Sequence, residues 1–209
     1  MLASTQVKVC ARNVRFQDLT ILSVGNQQDQ QVLIDVVDGG SLEMVRCTVQ
    51  CRGHGWDGGA VRVLGSTSSM TAKHSRFHSA EGVGLLVREG ACAALDSCTV
   101  SECGWNGVNV QGKLSMLTAK HAHIDDNGFI NISVGSLACA RLEHTTCNGS
   151  KSNCGCLVAG SASALTAVDS EASNNDRNGA VAYEGACLRL IRSRCLENGR
   201  CGWVAFNAN

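Results

Sequence analysis

Short segments of alternating apolar and polar residues recur along the chain; each follows a glycine, and all but the last also end at a glycine. The opening glycines stand at 59, 82, 107, 128, 155, 179 and 202, and the closing glycines at 65, 90, 112, 135, 160 and 185. Alternation with period two, together with β-branched residues, predicts strands. The predicted strands are 60–63, 83–87, 108–110, 129–132, 156–158, 180–183 and 203–206.

A second extended stretch lies upstream of each of these segments. Its first apolar positions are Leu42, Met70, Ala93, Leu117, Leu142, Leu165 and Leu188. We predict that the last inward residues of these stretches form one interior column, Cys47, Phe77, Cys98, Ile124, Cys147, Ala172 and Cys195. In that column cysteine alternates with other residues.

Two or three short strands in each repeat of about 24 residues predict an all-β parallel solenoid. Helical repeats need long amphipathic runs, leucine-rich repeats need a dense leucine lattice, and propeller blades need about 40–45 residues. The sequence has none of these features. Proline is absent, which suits a fold in which the N–H groups of each coil pair with the next coil. We expect one domain over residues 1–209, with about seven or eight coils.

Composition narrows the range of functions. The chain has 209 residues, with 18 Lys+Arg and 18 Asp+Glu, and this balance argues against nucleic-acid binding. No apolar run approaches the ~20 residues that span a bilayer, and the first fifteen residues do not resemble a signal peptide. The 13 cysteines are an odd number. We therefore expect reduced thiols and an intracellular location.

The repeated pattern resembles a known superfamily. Apolar-x-apolar, Ser/Thr-x-Cys, Asn-x-x-x-Gly or Asn-Gly, and Val-x-Val recur over residues 7–206. This resembles the right-handed parallel β-helix of the pectate-lyase-like superfamily, and in particular the repeats shared by carbohydrate-binding proteins and sugar hydrolases. The resemblance implies a single right-handed β-helix. It leaves function open, because the superfamily holds lyases, hydrolases, epimerases and non-catalytic binding modules.

Asp125, Asp126 and His54 are weak catalytic candidates. The resemblance to polygalacturonase-like enzymes would require an Asp-Asp pair, a Gly-His-Gly segment after it and an Arg-Ile-Lys. Here Gly53-His54-Gly55 precedes the two acids and no Arg-Ile-Lys occurs. The Arg-x-Pro-x-x-Arg segment of the pectate lyases needs a proline that this chain lacks. The alternative reading of Asp125 and Asp126 is a polar β-turn.

Histidines and lysines form the main binding candidates. His74, His121 and His144 fall in one predicted ladder, beside Lys73 and Lys120, with Leu95 interrupting it. Two neighbouring imidazoles can bind a metal or titrate as a pair. A zinc site, however, needs three or four ligands. The alternative is a solvated strand face, and we assign no metal and no cofactor.

Turns and the last coil supply further candidates. Trp56 and Trp105 lie in turns, where they would stack on sugars, fill a pocket on a partner or close the ends of coils. We expect the insertions at 26–31, 52–59 and 147–156 to project as loops. The arginines at 189, 192, 194 and 200 form either a cationic strip or a face balanced by nearby acids.

The leading hypothesis is a non-catalytic binding or scaffold module that presents a rigid strand face to a protein or glycan. The alternative is a polysaccharide-active enzyme, a hydrolase, lyase or epimerase. The sequence ends directly after a strand with no capping element. Since an open solenoid end exposes strand edges, we expect a segment of a longer protein, end-to-end self-association, or a cap from another chain.

Overall fold

A computed structural model describes residues 6–23 and 32–206, without the side chains of 53–56 and 80. The expected loop at 26–31 lies outside the described residues. The described part contains strands and turns and no helix. In chain order the strands are β1 Val7–Val9, β2 Val14–Gln17, β3 Thr20–Leu22, β4 Val32–Val36, β5 Ser41–Val45, β6 Thr48–Leu64, β7 Ser69–Lys73, β8 Arg76–Arg88, β9 Cys92–Asp96, β10 Thr99–Ser101, β11 Val108–Gln111, β12 Met116–Lys120, β13 His123–Asp125, β14 Ile132–Gly135, β15 Cys139–Glu143, β16 Cys156–Ala159, β17 Ala164–Val168, β18 Ala180–Tyr183, β19 Cys187–Ile191 and β20 Trp203–Phe206.

All strand pairs are parallel, and each strand pairs with its equivalent one coil away. The first sheet has the order β1-β4-β6-β8-β11-β14-β16-β18-β20, and the second has the order β19-β17-β15-β12-β9-β7-β5-β2. A third, shorter row begins with β3 and passes through the first parts of β6 and β8 to β10 and β13. Single bridges at Thr146, Glu171 and Arg194 continue it. The chain is therefore the parallel β-solenoid that its repeats predict.

A sharp corner ends every strand of the second sheet. The residue after the strand has a positive φ between 47° and 56° in all eight coils. In six of the coils the next residue is Cys, Ser or Thr, and its hydroxyl or thiol donates to the carbonyl two residues earlier, as Ser170 does to Val168 (2.8 Å). The backbone N–H of Thr145 donates to the same Ser170 hydroxyl (3.1 Å). These bonds satisfy backbone groups that the bend would otherwise leave buried and unpaired.

The corner corrects the predicted interior column. Val49 pairs with Phe77, and Phe77 with Val100, so these three share one column. Cys47 and Cys98 lie two residues earlier, in the column of inward residues that follows the corners. The prediction that Cys47 and Cys98 share a column with Phe77 and Ile124 was therefore wrong, because it mixed two columns. The later residues of the predicted column do share one: Ile124, Cys147, Ala172 and Cys195. Cys47, Cys98 and Phe77 are all buried, so the hydrophobic pattern of the sequence could not show that they belong to different columns.

Close approach of the coils explains most of the opening glycines. A Cβ at Gly107 would lie 2.5 Å from Nδ2 of Asn127, and one at Gly155 would lie 2.7 Å from Nδ2 of Asn175. The asparagine of the next coil thus rests on each glycine. In the coil between them, Asn131 takes the glycine position, since Ile132 pairs with both Val108 and Cys156. The predicted strand at 129–132 is therefore wrong at its start, and strand β14 begins at Ile132.

One hydrophobic cluster fills the interior from Val9 to Ala186, and small residues dominate it. Phe77 is the aromatic residue among its largest fully buried side chains. All 13 cysteines carry free thiols, and seven of them are buried. Apolar residues of the first and last described coils are only partly buried: Val7, Val14, Phe16, Ile21, Leu188, Leu190 and Cys195. End-to-end self-association stays a prediction.

Candidate functional site

The corner residues form the first wall of a groove. In each coil the corner amide donates to a carbonyl of the next coil, as His121 N does to Glu143 O (3.0 Å). The positive φ turns these side chains outward, and all of them are polar. We call this set the corner ladder: Asp18, Arg46, His74, Ser97, His121, His144, Asp169 and Arg192.

The second wall is the outward column of the third row. These residues stand two positions after each corner, and we call them the third-row ladder: Thr20, Thr48, Arg76, Thr99, His123, Thr146, Glu171 and Arg194. The space between the two ladders is open in two stretches, which we together call the corner groove. A stretch of about 450 Å³ lies beside His144 and Arg194, and another of about 280 Å³ lies beside His74 and Arg76.

The predicted histidine ladder is part of the corner ladder. His121 and His144 lie on neighbouring coils with ring centroids 5.1 Å apart and an interplanar angle of 2°. His74 stands alone, because Ser97 occupies the coil between His74 and His121. The prediction that Leu95 interrupts the ladder was wrong. Leu95 pairs with Ala72 and Ala119 and is buried, two residues before the corner.

Ion pairs close both ends of the corner ladder. Arg46 forms a bidentate pair with Asp18 (2.6 and 2.8 Å), and Arg192 forms one with Asp169 (2.7 and 2.6 Å). The hydrogen bonds from Arg192, with a smaller contribution from nearby His144, lower the pKa of Asp169.

Two further arginines of the groove have no such partner. Arg76 and Arg194 both line the groove and are exposed. Among the described residues, neither guanidinium has an ion pair or a side-chain hydrogen bond. The groove therefore carries two guanidinium groups without an ion pair, Arg76 in its N-terminal half and Arg194 on its last described coil, where Glu171 is the bridge partner of Arg194.

Asp125 takes part in a hydrogen-bonded chain at the rim of the groove. Thr146 Oγ1 donates to Asp125 Oδ2 (2.6 Å), and Nδ1 of His123 lies 3.0 Å from the same hydroxyl. Since a threonine hydroxyl has one proton, His123 Nδ1 is the donor in that contact. Asn148 N also donates to Asp125 Oδ1 (2.7 Å). Burial nevertheless raises the pKa of Asp125.

The other catalytic candidates do not join Asp125. Asp126 is a turn residue with φ 58°, and its carboxylate abuts the backbone of Gly149. Asp125 and Asp126 therefore do not face each other across a shared space. The side chain of His54 lies outside the described residues, although its backbone pairs with Glu81 in the first sheet.

The remaining candidates lie on other surfaces. Lys73 and Lys120 belong to the outer face of the second sheet, where Lys120 pairs with Glu143 (2.9 Å). Trp105 lies in a turn and stacks on Phe129, with centroids 5.0 Å apart. The side chain of Trp56 lies outside the described residues.

The predicted cationic strip is divided among several surfaces. Arg189 lies on the outer face of the second sheet, Arg192 at the corner and Arg194 in the third row. Arg200 is in the turn before β20. The four arginines therefore do not form one continuous strip.

Sequence reasoning missed His123, Thr146 and Arg76 as members of one ladder. The signal that could have found them is the corner itself. At every corner a polar residue is followed by Cys, Ser, Thr, Ala or Leu. The residue two positions after the corner is in each case the member of the third-row ladder. Over residues 6–23 and 32–206, no three His, Cys, Asp or Glu side chains converge as metal ligands. No helix there is long and apolar enough to cross a membrane.

The fold and this groove define the class of protein, and comparison with known families agrees. The family model for the right-handed β-helix region matches residues 8–195. The chain therefore belongs to the right-handed β-helix family, and its coil is right-handed. Among solved structures, the A-module of mannuronan C-5 epimerase AlgE6 from Azotobacter vinelandii is similar at 16% identity and a TM-score of 0.47. That alignment covers 93% of this chain and 58% of the other. No match was found among curated proteins.

Proposed function

We propose that the protein is a non-catalytic binding module and that its corner groove holds a linear glycan bearing carboxylate or sulfate groups. The observation that carries this proposal is the pair of arginines, Arg76 and Arg194, that line the groove and form no ion pair among the described residues. The guanidinium fork suits planar or tetrahedral oxyanions, with which it forms charge-assisted hydrogen bonds.

The spacing of the two arginines favours a long ligand. They are five strands apart in the third-row ladder. At about 4.8 Å between neighbouring strands, they are separated by about 24 Å along the solenoid axis. The ladder places one polar side chain at every strand spacing, so an extended acidic polymer can contact both arginines at once and a small molecule cannot.

The chemistry of the walls favours a glycan over a protein. The two ladders consist of Thr, Ser, His, Arg, Asp and Glu, with no Phe, Tyr, Trp or aliphatic side chain. Protein interfaces have apolar cores enriched in aromatic residues. Hydroxyl and imidazole groups instead suit the hydroxyls of a sugar chain, for which they are both donors and acceptors.

A catalytic function is the alternative, and the chain from His123 through Thr146 to Asp125 favours it. A carboxyl group with a raised pKa, connected to an imidazole, has the properties of a general acid or base. Glycoside hydrolysis, however, uses two carboxyl groups that flank the bond, about 5–9.5 Å apart. Asp126 does not supply the second carboxyl group, since it lies in the turn against Gly149.

Binding to an array of uronate-rich, sulfated and neutral glycans tests the proposal. We expect binding to the acidic chains that weakens as salt increases. Hydrogen bonds to charged groups contribute about 1.5–3 kcal/mol, so Arg76→Ala and Arg194→Ala should each raise Kd about tenfold or more. Arg189→Ala is the matched control, because Arg189 is an exposed arginine of the same last coil outside the groove.

Each outcome has a clear meaning. An equal effect of Arg189→Ala would place binding outside the groove, and a complete lack of binding to acidic glycans would contradict the proposal. Reducing-end and unsaturated-product assays on the bound glycans complete the experiment. Product formation that Asp125→Asn abolishes would replace the binding module with an enzyme.

A further inference from the structure

We propose that His121 and His144 form a bidentate surface site for a divalent transition-metal ion of the imidazole-preferring group, Cu²⁺, Ni²⁺ or Zn²⁺. This inference does not depend on the glycan proposal. It starts from the stacked pair, whose ring centroids are 5.1 Å apart and whose planes are 2° from parallel.

The backbone gives both side chains the same starting direction. His121 and His144 each have φ 49°, and His121 N donates to Glu143 O, the residue before His144. The two rings are also parallel and stacked, so turning about the side-chain torsions can bring a nitrogen of each ring toward the same side. Both side chains are exposed, so the rings can turn without disturbing the core.

Chelation requires the two exposed rings to turn out of the stack, because the nitrogen lone pairs of parallel stacked rings lie in separate planes. Imidazole nitrogen binds these metals at about 2.0–2.1 Å, so two nitrogens on one ion are about 3–4 Å apart. From centroids 5.1 Å apart, the rings would therefore both approach each other by about 1 Å at the binding nitrogens and tilt until their lone pairs converge on the ion. Imidazole suits Cu²⁺, Ni²⁺ and Zn²⁺, and Cu²⁺ binds most strongly in the general order of affinity.

Neighbouring charges do not block the site. Lys120 and Arg141 both pair with Glu143 (2.9 and 2.7 Å), on the second-sheet side of the corner. On the far side of His144, Arg192 is paired with Asp169. The cationic side chains around the histidines therefore point at carboxylates and not at the ring nitrogens.

The site leaves coordination positions open. Among the described residues no third protein ligand converges on the pair. Water or an oxygen of a bound ligand would fill the remaining positions. Because His144 lines the corner groove, such an ion would lie at its wall.

The chain contains its own control. His74 occupies the same corner position, with φ 50°, but its neighbour on the next coil is Ser97. It therefore offers one imidazole where His121 and His144 offer two. Asparagine tolerates positive φ better than most residues, so His→Asn removes an imidazole and preserves the corner.

The experiment is titration of the full chain with Cu²⁺, followed by calorimetry and by electron paramagnetic resonance. Exposed thiols are first capped with iodoacetamide, because free thiols bind and reduce Cu²⁺. We expect a spectrum with two equatorial nitrogens, which His121→Asn and His144→Asn each abolish, with a loss of affinity of about tenfold or more. His74→Asn should leave the spectrum and the affinity unchanged.

A gain of binding provides the second arm. Ser97→His would place an imidazole between His74 and His121, and we expect a second equivalent of Cu²⁺ with two nitrogens. A single-nitrogen spectrum for the unmodified sequence, or equal losses for His74→Asn and His144→Asn, would overturn the proposal. These readouts use no glycan, so they succeed or fail independently of the proposed function.

Discussion

Asn175→Ala should destabilise the C-terminal half of the solenoid more than its single side chain suggests. Asn175 is 2% exposed, and its amide uses its full hydrogen-bonding capacity. Oδ1 accepts from Ser150 N (2.9 Å) and from Asn131 Nδ2 (3.2 Å). Nδ2 donates to Cys147 O (3.2 Å) and to Asn198 Oδ1 (3.0 Å). One residue thereby ties together four successive coils.

The expected loss follows from these four bonds. At about 1 kcal/mol for each buried hydrogen bond, their removal costs about 4 kcal/mol. Asn131 Nδ2 keeps its bond to Asn148 O, and Asn198 Oδ1 keeps its bond from Asn175 N. Both retained bonds moderate the loss. The buried Ser150 N–H, however, loses its partner. An unpaired buried donor costs about 1–3 kcal/mol, which makes the loss of stability larger.

Asn178→Ala is the matched control, three residues away. Its side chain accepts one hydrogen bond, from Cys201 N (3.2 Å), at an exposed position. We expect a loss of about 1 kcal/mol or less for this variant. Urea denaturation gives the stabilities, and hydrogen exchange at the Ser150 amide locates the effect. Equal losses for the two variants, or unchanged exchange at Ser150, would refute the idea that the asparagine network holds the coils together.

Three further predictions test other parts of the structure. In the folded protein, a thiol reagent should rapidly label the five exposed cysteines, which are Cys10, Cys92, Cys139, Cys187 and Cys201. Cys195 should react more slowly, and the seven buried cysteines should react only after unfolding. Burial also raises the pKa of Cys103 and of Cys154 to about 12, so rapid labelling of either would contradict the fold. Gly107→Ala should destabilise the chain by about 1–3 kcal/mol, because the new Cβ overpacks the contact with the next coil. Gly135→Ala should change the midpoint of thermal unfolding little, because its Cβ would meet no atom nearer than 3.6 Å. Because the pKa of Asp125 is raised in the folded state, protonation favours folding, so the stability of the native sequence relative to Asp125→Asn should increase as pH falls from 7 toward 4. A constant difference between the two melting temperatures over that range would contradict this sign.

Much of the architecture was predictable because each coil repeats a local pattern. Period-two alternation at 108–110 and 180–183 corresponds to strands β11 and β18. Glycine marked the boundaries because a neighbouring coil leaves no room for a Cβ at Gly107 or Gly155. The error at 129–132 has the same origin. Gly128 looked like an opening glycine, but Asn131 holds that position and uses its side chain in the asparagine network.

The candidate site was harder to predict than the fold. The stacked histidines were found because Thr-Ala-Lys-His at 118–121 and Arg-Leu-Glu-His at 141–144 share one local register. The hydrogen-bonded chain of Asp125 was missed, because His123 and Thr146 are 23 residues apart and belong to different coils. Their contact depends on the bridge between those two coils, for which the sequence carries no separate signal.

The sequence by itself determined the period, the strands, the small-residue core and the corner histidines, since these follow from patterns within one coil. Only the tertiary structure decided which side chains share a ladder. The physical reason is that inter-coil hydrogen bonds set the register, and a two-residue difference moves a side chain into the next ladder without changing its inward or outward direction. Cys47 and Phe77 are both buried, and both satisfy the same hydrophobic pattern. Their different columns become visible only when each corner is aligned with the next.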